Sequence, residues 1–404
     1  MDRPLTGIRV IALEQYMAGP YCSMLLADAG AEVIKIERPG TGDPRRSIPP
    51  FVENNGIKKA GGFMAYNRNK KSIALNIRND EGKKIYQDLV KNADVVVENL
   101  RPGSVDKLGL GYHDLKAFNP KLIYAAISGF GRLEGYEGPD SKRPAFDIVA
   151  EAMSGIMHLV GFDDKPPSWT IYGMADVYTG LCTSFAITQA LFMRERTGKG
   201  QFVDSAMLDN MISLNERMAM LYSITGKEPH RGRLTHLYPR GAFKCKDGYL
   251  AMNIPDDLVW GRFCKAIGHE DLVQDDRSKT GTARASNAEF LAPIIEEWLS
   301  QKTRSEAENI LNENGVPVGS VYTAKDVFES EQVKSRKALV DIDDPDVGTY
   351  QFARGPVMLS DSPEIETNPA PGLGQHTMNI LSEILQYSDE KIDKLAESGT
   401  IGIN

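Results

Sequence analysis

In the stretch WTIYGMADVYTGLCTSFAITQALFMRER, no charged residue lies between Asp176 and Arg194, so Asp176 stands alone at the mouth of an apolar helical segment. An Asp at a helix start is a natural cap, because its oxygens accept from orphan backbone N–H groups and suit the positive end of the helix dipole. The same dipole can keep a carboxylate ionised where burial alone would neutralise it. An ionised, poorly hydrated carboxylate is a nucleophile. From these residues alone, capping and nucleophilic catalysis both stay open. A second acid, Asp147 in RPAFDIVAEAMSG, opens another helical segment and reads as its cap.

Other chemistries lack their parts. There is no G-x-x-x-x-G-K-[ST] phosphate cradle and no G-x-S-x-G elbow, and the first β-α turn, LEQYMAGPYCS, has only Gly19 where a dinucleotide fingerprint needs three glycines. The six histidines include no H-E-x-x-H, so no metal is expected. Cys22, Cys182, Cys245 and Cys264 show no C-x-x-C spacing and read as reduced thiols. Two basic stretches remain. KIERPGTGDPRR puts Arg38, Arg45 and Arg46 just past a strand, where ligands of open α/β sheets bind, and Arg suits phosphates there; a solvated turn is the alternative. The loop from Arg231 to Arg240, which includes Tyr238, is basic enough to suggest an anionic acceptor, although such loops are usually just solvated.

The elements that must position these residues alternate. GIRVIALE, AEVIKIERPG, KSIALNI, DVVVENL and LIYAAISGFG are runs rich in β-branched residues, and helical patterns such as GPYCSMLLADAG and DEGKKIYQDLVKNA lie between them. Repeated β-α-β units predict a Rossmann-like, mostly parallel sheet covered on both faces. The apolar helix behind Asp176 has no polar face, which predicts that protein encloses it. Past Gly226, GAFKCKDGYLAMNI predicts a hairpin turning at Lys246-Asp247-Gly248, followed by short amphipathic helices. The expected organisation is a large α/β domain over 1–225, a small α+β domain over 226–325, and a segment over 326–404 whose Pro-rich part returns across the large domain.

At 404 residues the chain exceeds one ordinary core. Its net charge of −8 argues against nucleic-acid partners. The N-terminal residues turn at once into a strand pattern, and the uncharged run after Asp176 falls short of the roughly 20 residues of a membrane helix. The expectation is a cytoplasmic protein without a membrane partner.

The segments ERPGTGDPRR, NRNKKSIALNI, VVENLRPGSVDKLGLGY, ISGFG, AMSG, MADVYTG and RTGKGQFVDSAM, in this order, resemble the signatures of the class III coenzyme A transferases of the CaiB/BaiF type, which include formyl-CoA transferases. The resemblance runs from about residue 5 to 385. It implies that Asp176 is the catalytic carboxylate and that Met17, Arg38, Leu75, Asn76, Asn99 and Lys107 contact coenzyme A. Arg143, Asp147 and Tyr238 are weaker candidates for holding or orienting the substrate. The implied activity is transfer of CoA from an acyl-CoA donor, of the succinyl-CoA or acetyl-CoA type, to a small carboxylic or dicarboxylic acid through an aspartyl-CoA thioester. Family members are described as homodimers of interlocked ring-shaped subunits, and the same is expected here.

Departures narrow this. Met17 stands where the formyl-CoA branch has Gln, and HLYPRGAFKCKDG is short and glycine-poor where that branch has a long glycine loop. The racemase branch needs a His base where this chain has Phe146, and a phenyl ring cannot abstract a proton. An acyl-CoA racemase or isomerase and a non-catalytic CoA-binding protein are the alternative readings.

Overall fold

A computed structural model describes residues 2–232 and 237–403, and the chain divides into two compact units. The first comprises 1–160, 167–229 and 337–404; the second comprises 161–166 and 230–336. The second unit thus runs to 336 rather than 325, because the helices Ala324–Glu329 and Glu331–Ser335 stay with it.

The strands of the chain, in order, are β1 (Arg9–Leu13), β2 (Glu32–Glu37), β3 (Phe51–Asn54), β4 (Ile57–Ala60), β5 (Lys70–Leu75), β6 (Val95–Glu98), β7 (Ile123–Ser128), β8 (Phe202–Ala206), β9 (Arg240–Cys245), β10 (Gly248–Asn253), β11 (Val318–Ser320), β12 (Leu339–Asp344), β13 (Gly348–Ala353) and β14 (Ile401–Gly402). The large sheet of the first unit has the order β14-β5-β2-β1-β6-β7-β8. All its pairings are parallel except the two-residue β14, which lies antiparallel on the β5 edge. The strand order reverses beside β1, which has β2 on one side and β6 on the other, and such a switch point opens a crevice at the carboxyl ends of the strands.

Both faces of this sheet are dry, as the near-continuous apolar strands require. Val10 and Ala12 face one core with Val33, Val95 and Val97, while Ile11 and Leu13 face the other with Ile34, Ile73 and Val96, as the two-residue period of a strand dictates. The helices of the first unit up to its midpoint are α1 (Ala18–Asp28), α2 (Gly61–Asn67), α3 (Asp80–Lys91), α4 (Tyr112–Phe118), α5 (Asp147–Met153), α6 (Ile156–Leu159), α7 (Met174–Thr197), α8 (Met207–Leu214) and α9 (Glu216–Thr225). Pro20 sits in the first turn of α1, where its missing N–H costs nothing. Gly198, at φ +68°, ends α7 in the left-handed conformation that suits glycine.

Helix α7 packs along α1 through a glycine. A Cβ at Gly180 would stand 2.6 Å from the Ala18 carbonyl oxygen and 3.1 Å from the Cys22 nitrogen, so the two backbones touch there. Gly180→Val is expected to destabilise the protein by about 2–3 kcal/mol, since neither backbone can yield without moving the helix. Thermal unfolding checks this; an unchanged melting temperature would contradict the close packing.

Only one side of α7 is covered within the chain. Ala175, Thr179, Thr183, Ile187 and Leu191 are buried, whereas Leu181, Phe185, Phe192 and Met193 are exposed, Phe185 at 63%. The expectation of an enclosed helix therefore fails for the single chain.

In the second unit β9 and β10 form the expected hairpin, with β11 added antiparallel, against a core of Trp260, Phe263, Leu291 and Leu311. Two further hairpins, β3–β4 and β12–β13, lie outside the strand pattern read from sequence, and Asn55-Gly56 between β3 and β4 is a strong turn signal.

Candidate active site

Asp176 is the third residue of α7. Its carboxylate is half-buried and, among the described residues, accepts no hydrogen bond. The cap of α7 is a different acid. Asp147, at the start of α5, accepts from the Ala175 N–H at 2.6 Å and the Asp176 N–H at 3.2 Å through Oδ1, and from the Gly173 N–H at 3.2 Å through Oδ2. Asp147 therefore caps a neighbouring helix rather than its own. The capping work at this helix thus falls to Asp147, and among the described residues the Asp176 carboxylate is left without a hydrogen bond.

The pair sets the electrostatics. Burial pushes the Asp176 carboxyl up to about 7 from its ordinary 3.8, the Asp147 charge pushes the same way, and Arg45 opposes them. Loss of solvent and a like charge together outweigh the helix dipole, so the carboxyl is raised where the dipole alone would lower it. The carboxylate still ionises near neutrality, which suits a nucleophile. Since Asp147 occupies the N–H groups of Gly173, Ala175 and Asp176, and the Met174 N–H bonds the Ile171 carbonyl, this helix end keeps no donor for an oxyanion.

The turns after β1 and β2 close over the start of α7. Met17, 4% exposed, reaches Gly173: a Cβ there would fall 2.2 Å from the Met17 methyl, and Gly173 holds φ +84°. Only glycine fits both demands. The turns themselves are bolted together by buried charges. Lys70 Nζ meets Glu14 Oε1 at 2.8 Å, and Lys35 Nζ meets Asp43 Oδ2 at 3.0 Å. Asp43 Oδ1 in turn accepts from the N–H groups of Tyr16 and Arg45. Burial pulls the Lys70 ammonium down to about 8.

The three arginines of the basic turn part company. Arg38 is exposed. Arg46 is held by Glu37 through two bonds of 2.7 and 2.8 Å, so its fork is filled by protein. Arg45 is buried against Tyr66 and Tyr172, with Cζ 5.6 and 6.0 Å from their ring centroids.

Other candidate residues differ in what they offer. Asn99, after β6, pins the first turn by accepting from the Gln15 N–H and donating to the Gln15 carbonyl, both at 2.8 Å. Lys107 is exposed in a short 3-10 turn. Asn76 donates its backbone N–H to Thr400 O, and its side chain accepts from the Arg78 N–H. Leu75 is 2% exposed in the core and paired with Ile401, so its side chain is not available to a ligand. Arg143 is exposed, bonded to Asp140 at 3.5 Å. Tyr238 is likewise corrected: it is 2% exposed, edge-on to Phe243 in the core of the second unit. Arg233 and His236, from the same basic loop, lie outside the described residues. Among the described residues no cluster of His, Cys, Asp or Glu is placed to hold a metal, and no helix is long and apolar enough to cross a membrane.

Whole-chain comparison matches the model of CoA-transferase family III over residues 5–377. The chain belongs to CoA-transferase family III. This transferase is similar to the succinyl-CoA:glutarate CoA-transferase of Mus musculus, 38% identical over 99% of this chain and 90% of that protein. It is also similar to the succinyl-CoA:mesaconate CoA-transferase of Haloarcula marismortui, 37% identical over 94% of this chain and 96% of that one. Among solved structures, a CaiB/BaiF family protein from Brucella suis superposes with a TM-score of 0.85 at 37% identity, covering 95% of this chain and all of that one. The transferase is thus an enzyme whose substrates are CoA thioesters. The racemase alternative finds no support at Phe146, whose exposed ring meets Tyr16 edge-on at 6.1 Å.

Proposed function

We propose that the transferase moves CoA from succinyl-CoA to a second dicarboxylic acid, with Asp176 as the nucleophile. The observation that carries the reading is the Asp176 carboxylate itself, which among the described residues accepts no hydrogen bond while Asp147 caps its helix. The succinyl donor and dicarboxylate acceptor are supported by the names of similar full-length proteins.

Asp176 attacks the thioester carbonyl of the donor, forming a mixed anhydride and expelling CoA thiolate. The thiolate attacks the aspartyl carbonyl, which leaves an aspartyl-CoA thioester and free succinate. The acceptor carboxylate then attacks that thioester, giving a second anhydride and thiolate, and the thiolate takes the acceptor's acyl group and frees Asp176. One thioester is exchanged for another, so no ATP is consumed. The exposed Arg38 and Lys107 are suited to the CoA phosphates, while the Asn99–Gln15 clasp and Met17 shape the turn beside the thioester.

The same reading includes a homodimer. Support comes from the bare apolar side of α7 and from Ile212, Leu214, Tyr222 and Ile224 on α8 and α9, all exposed in one chain. Light scattering is expected to give twice the chain mass; a monomer at micromolar concentration would contradict it.

The test of function offers succinyl-CoA with a panel of carboxylic acids and follows acyl-CoA products by mass spectrometry. New thioesters that need both donor and acceptor are expected. Isomerisation of the donor without an acceptor would contradict the reading.

A further inference from the structure

Among the described residues, buried arginines are paired, with one exception. Arg68 is bonded to Asp28 at 2.6 and 3.1 Å, and Arg284 reaches Asp257 at 2.8 Å. Arg45 is 9% exposed, yet among the described residues its guanidinium forms no salt bridge, its buried Nε has no hydrogen-bond partner, and the charge it feels from Asp176 comes without a bond. A buried charge ordinarily needs an ion-pair partner, since leaving one bare is costly.

The surroundings hold this charge without filling its fork. The faces of Tyr66 and Tyr172 flank it, which supplies cation–π attraction but uses no N–H donor. Gly62 leaves the space it occupies: a Cβ there would lie 2.6 Å from Arg45 Nε. The backbone is fixed by the bond from the Arg45 N–H to Asp43, itself clamped by Lys35. The result is a rigid, dry cation with open donors, and its charge is felt by both Asp176 and Tyr66.

We infer that Arg45 is the specificity residue of the acceptor site, holding the distal carboxylate of a dicarboxylic acid while the other carboxylate meets the reacting centre. The inference rests on the dicarboxylate reading above and deepens it. A planar fork matches a carboxylate through two parallel N–H···O bonds, and a dry setting makes them count. Because the acceptor retraces the donor's steps in reverse, the same fork receives the free end of a succinyl group and later that of the acceptor. Arg45 is thereby distinguished from Arg38 on the same turn, which is exposed, and from Arg46, which Glu37 occupies.

The test compares glutarate with butyrate as CoA acceptors, using one donor throughout, in the wild type and in Arg45→Gln and Arg45→Lys. In a double-displacement reaction, kcat/KM for the acceptor reports only the half-reaction in which it takes part. Arg45→Gln is expected to lose roughly 10²-fold in kcat/KM for glutarate and under about threefold for butyrate, since only glutarate loses a partner for a buried charge. Arg45→Lys, which keeps the charge but not the fork, is expected to fall between. Equal losses for both acceptors, or none, would overturn the assignment and leave Arg45 a structural or field-setting residue. If Arg45→Gln does not fold, the wild type decides by itself: glutarate must exceed its monomethyl ester by a similar factor, and equal use of the two overturns the inference. A wild type that transfers CoA to monocarboxylates but not to dicarboxylates would overturn the inference and the dicarboxylate reading together, while leaving Asp176 chemistry intact.

Discussion

Asp176→Ala is expected to lose CoA transfer by at least about 10⁴-fold while still binding CoA, because it removes the proposed nucleophile and leaves Arg38 and Lys107, the residues proposed for the CoA phosphates, in place. Stability separates this loss from misfolding, and its sign follows from the titration. The Asp176 carboxyl titrates near 7 in the fold against 3.8 ordinarily, so between those values the folded protein binds more protons than the unfolded chain. Stability from this group is then lost as pH rises through that window. Removing the carboxyl relieves the cost by about 1–2 kcal/mol at pH 8, once solvent screening at a half-buried site is allowed for, and by nothing near pH 3. The variant should therefore be inactive yet melt above the wild type at pH 8. An inactive variant that melts lower at every pH would point to damage rather than to a missing nucleophile.

The second large effect is in the pH profile. Attack requires the ionised carboxylate, so kcat/KM for the donor should fall tenfold per unit below about pH 7. Asp147→Asn removes the negative neighbour that raises Asp176, while its amide oxygen can still accept from the α7 N–H groups. The acidic limb is expected to move to lower pH. Arg45→Gln, which removes the opposing positive charge, should move it upward. A limb that stays in place in both variants would show that another group controls the profile.

Much of this was legible in the residues. The parallel sheet follows from apolar strands that alternate with helical patterns, while one acid at the head of an uncharged run marked Asp176 as either a cap or a proposed nucleophile. What escaped depends on contacts between distant segments. Asp147 reads as a cap for the helix it opens, and only the packing of α5 on α7 sends its oxygens 26 to 29 residues along the chain. Arg38, Arg45 and Arg46 are equivalent in a charge count, yet Glu37, Tyr66 and Tyr172 give them three different environments. Leu75 and Tyr238 fell the other way, into cores, since a matching segment says which residue is nearby but not which way its side chain turns. The bare face of α7 was hidden for a related reason: an apolar helix shows that something covers it, without saying whether the cover belongs to the same chain.

The proposed mechanism requires a covalent link between CoA and Asp176. Its most direct measurement is peptide mass spectrometry of protein quenched with acid after brief exposure to succinyl-CoA without acceptor. CoA in thioester linkage is expected on the peptide that contains Asp176, released by hydroxylamine and by a later addition of dicarboxylate. Steady transfer with no adduct on that peptide, or an adduct on another residue, would contradict it.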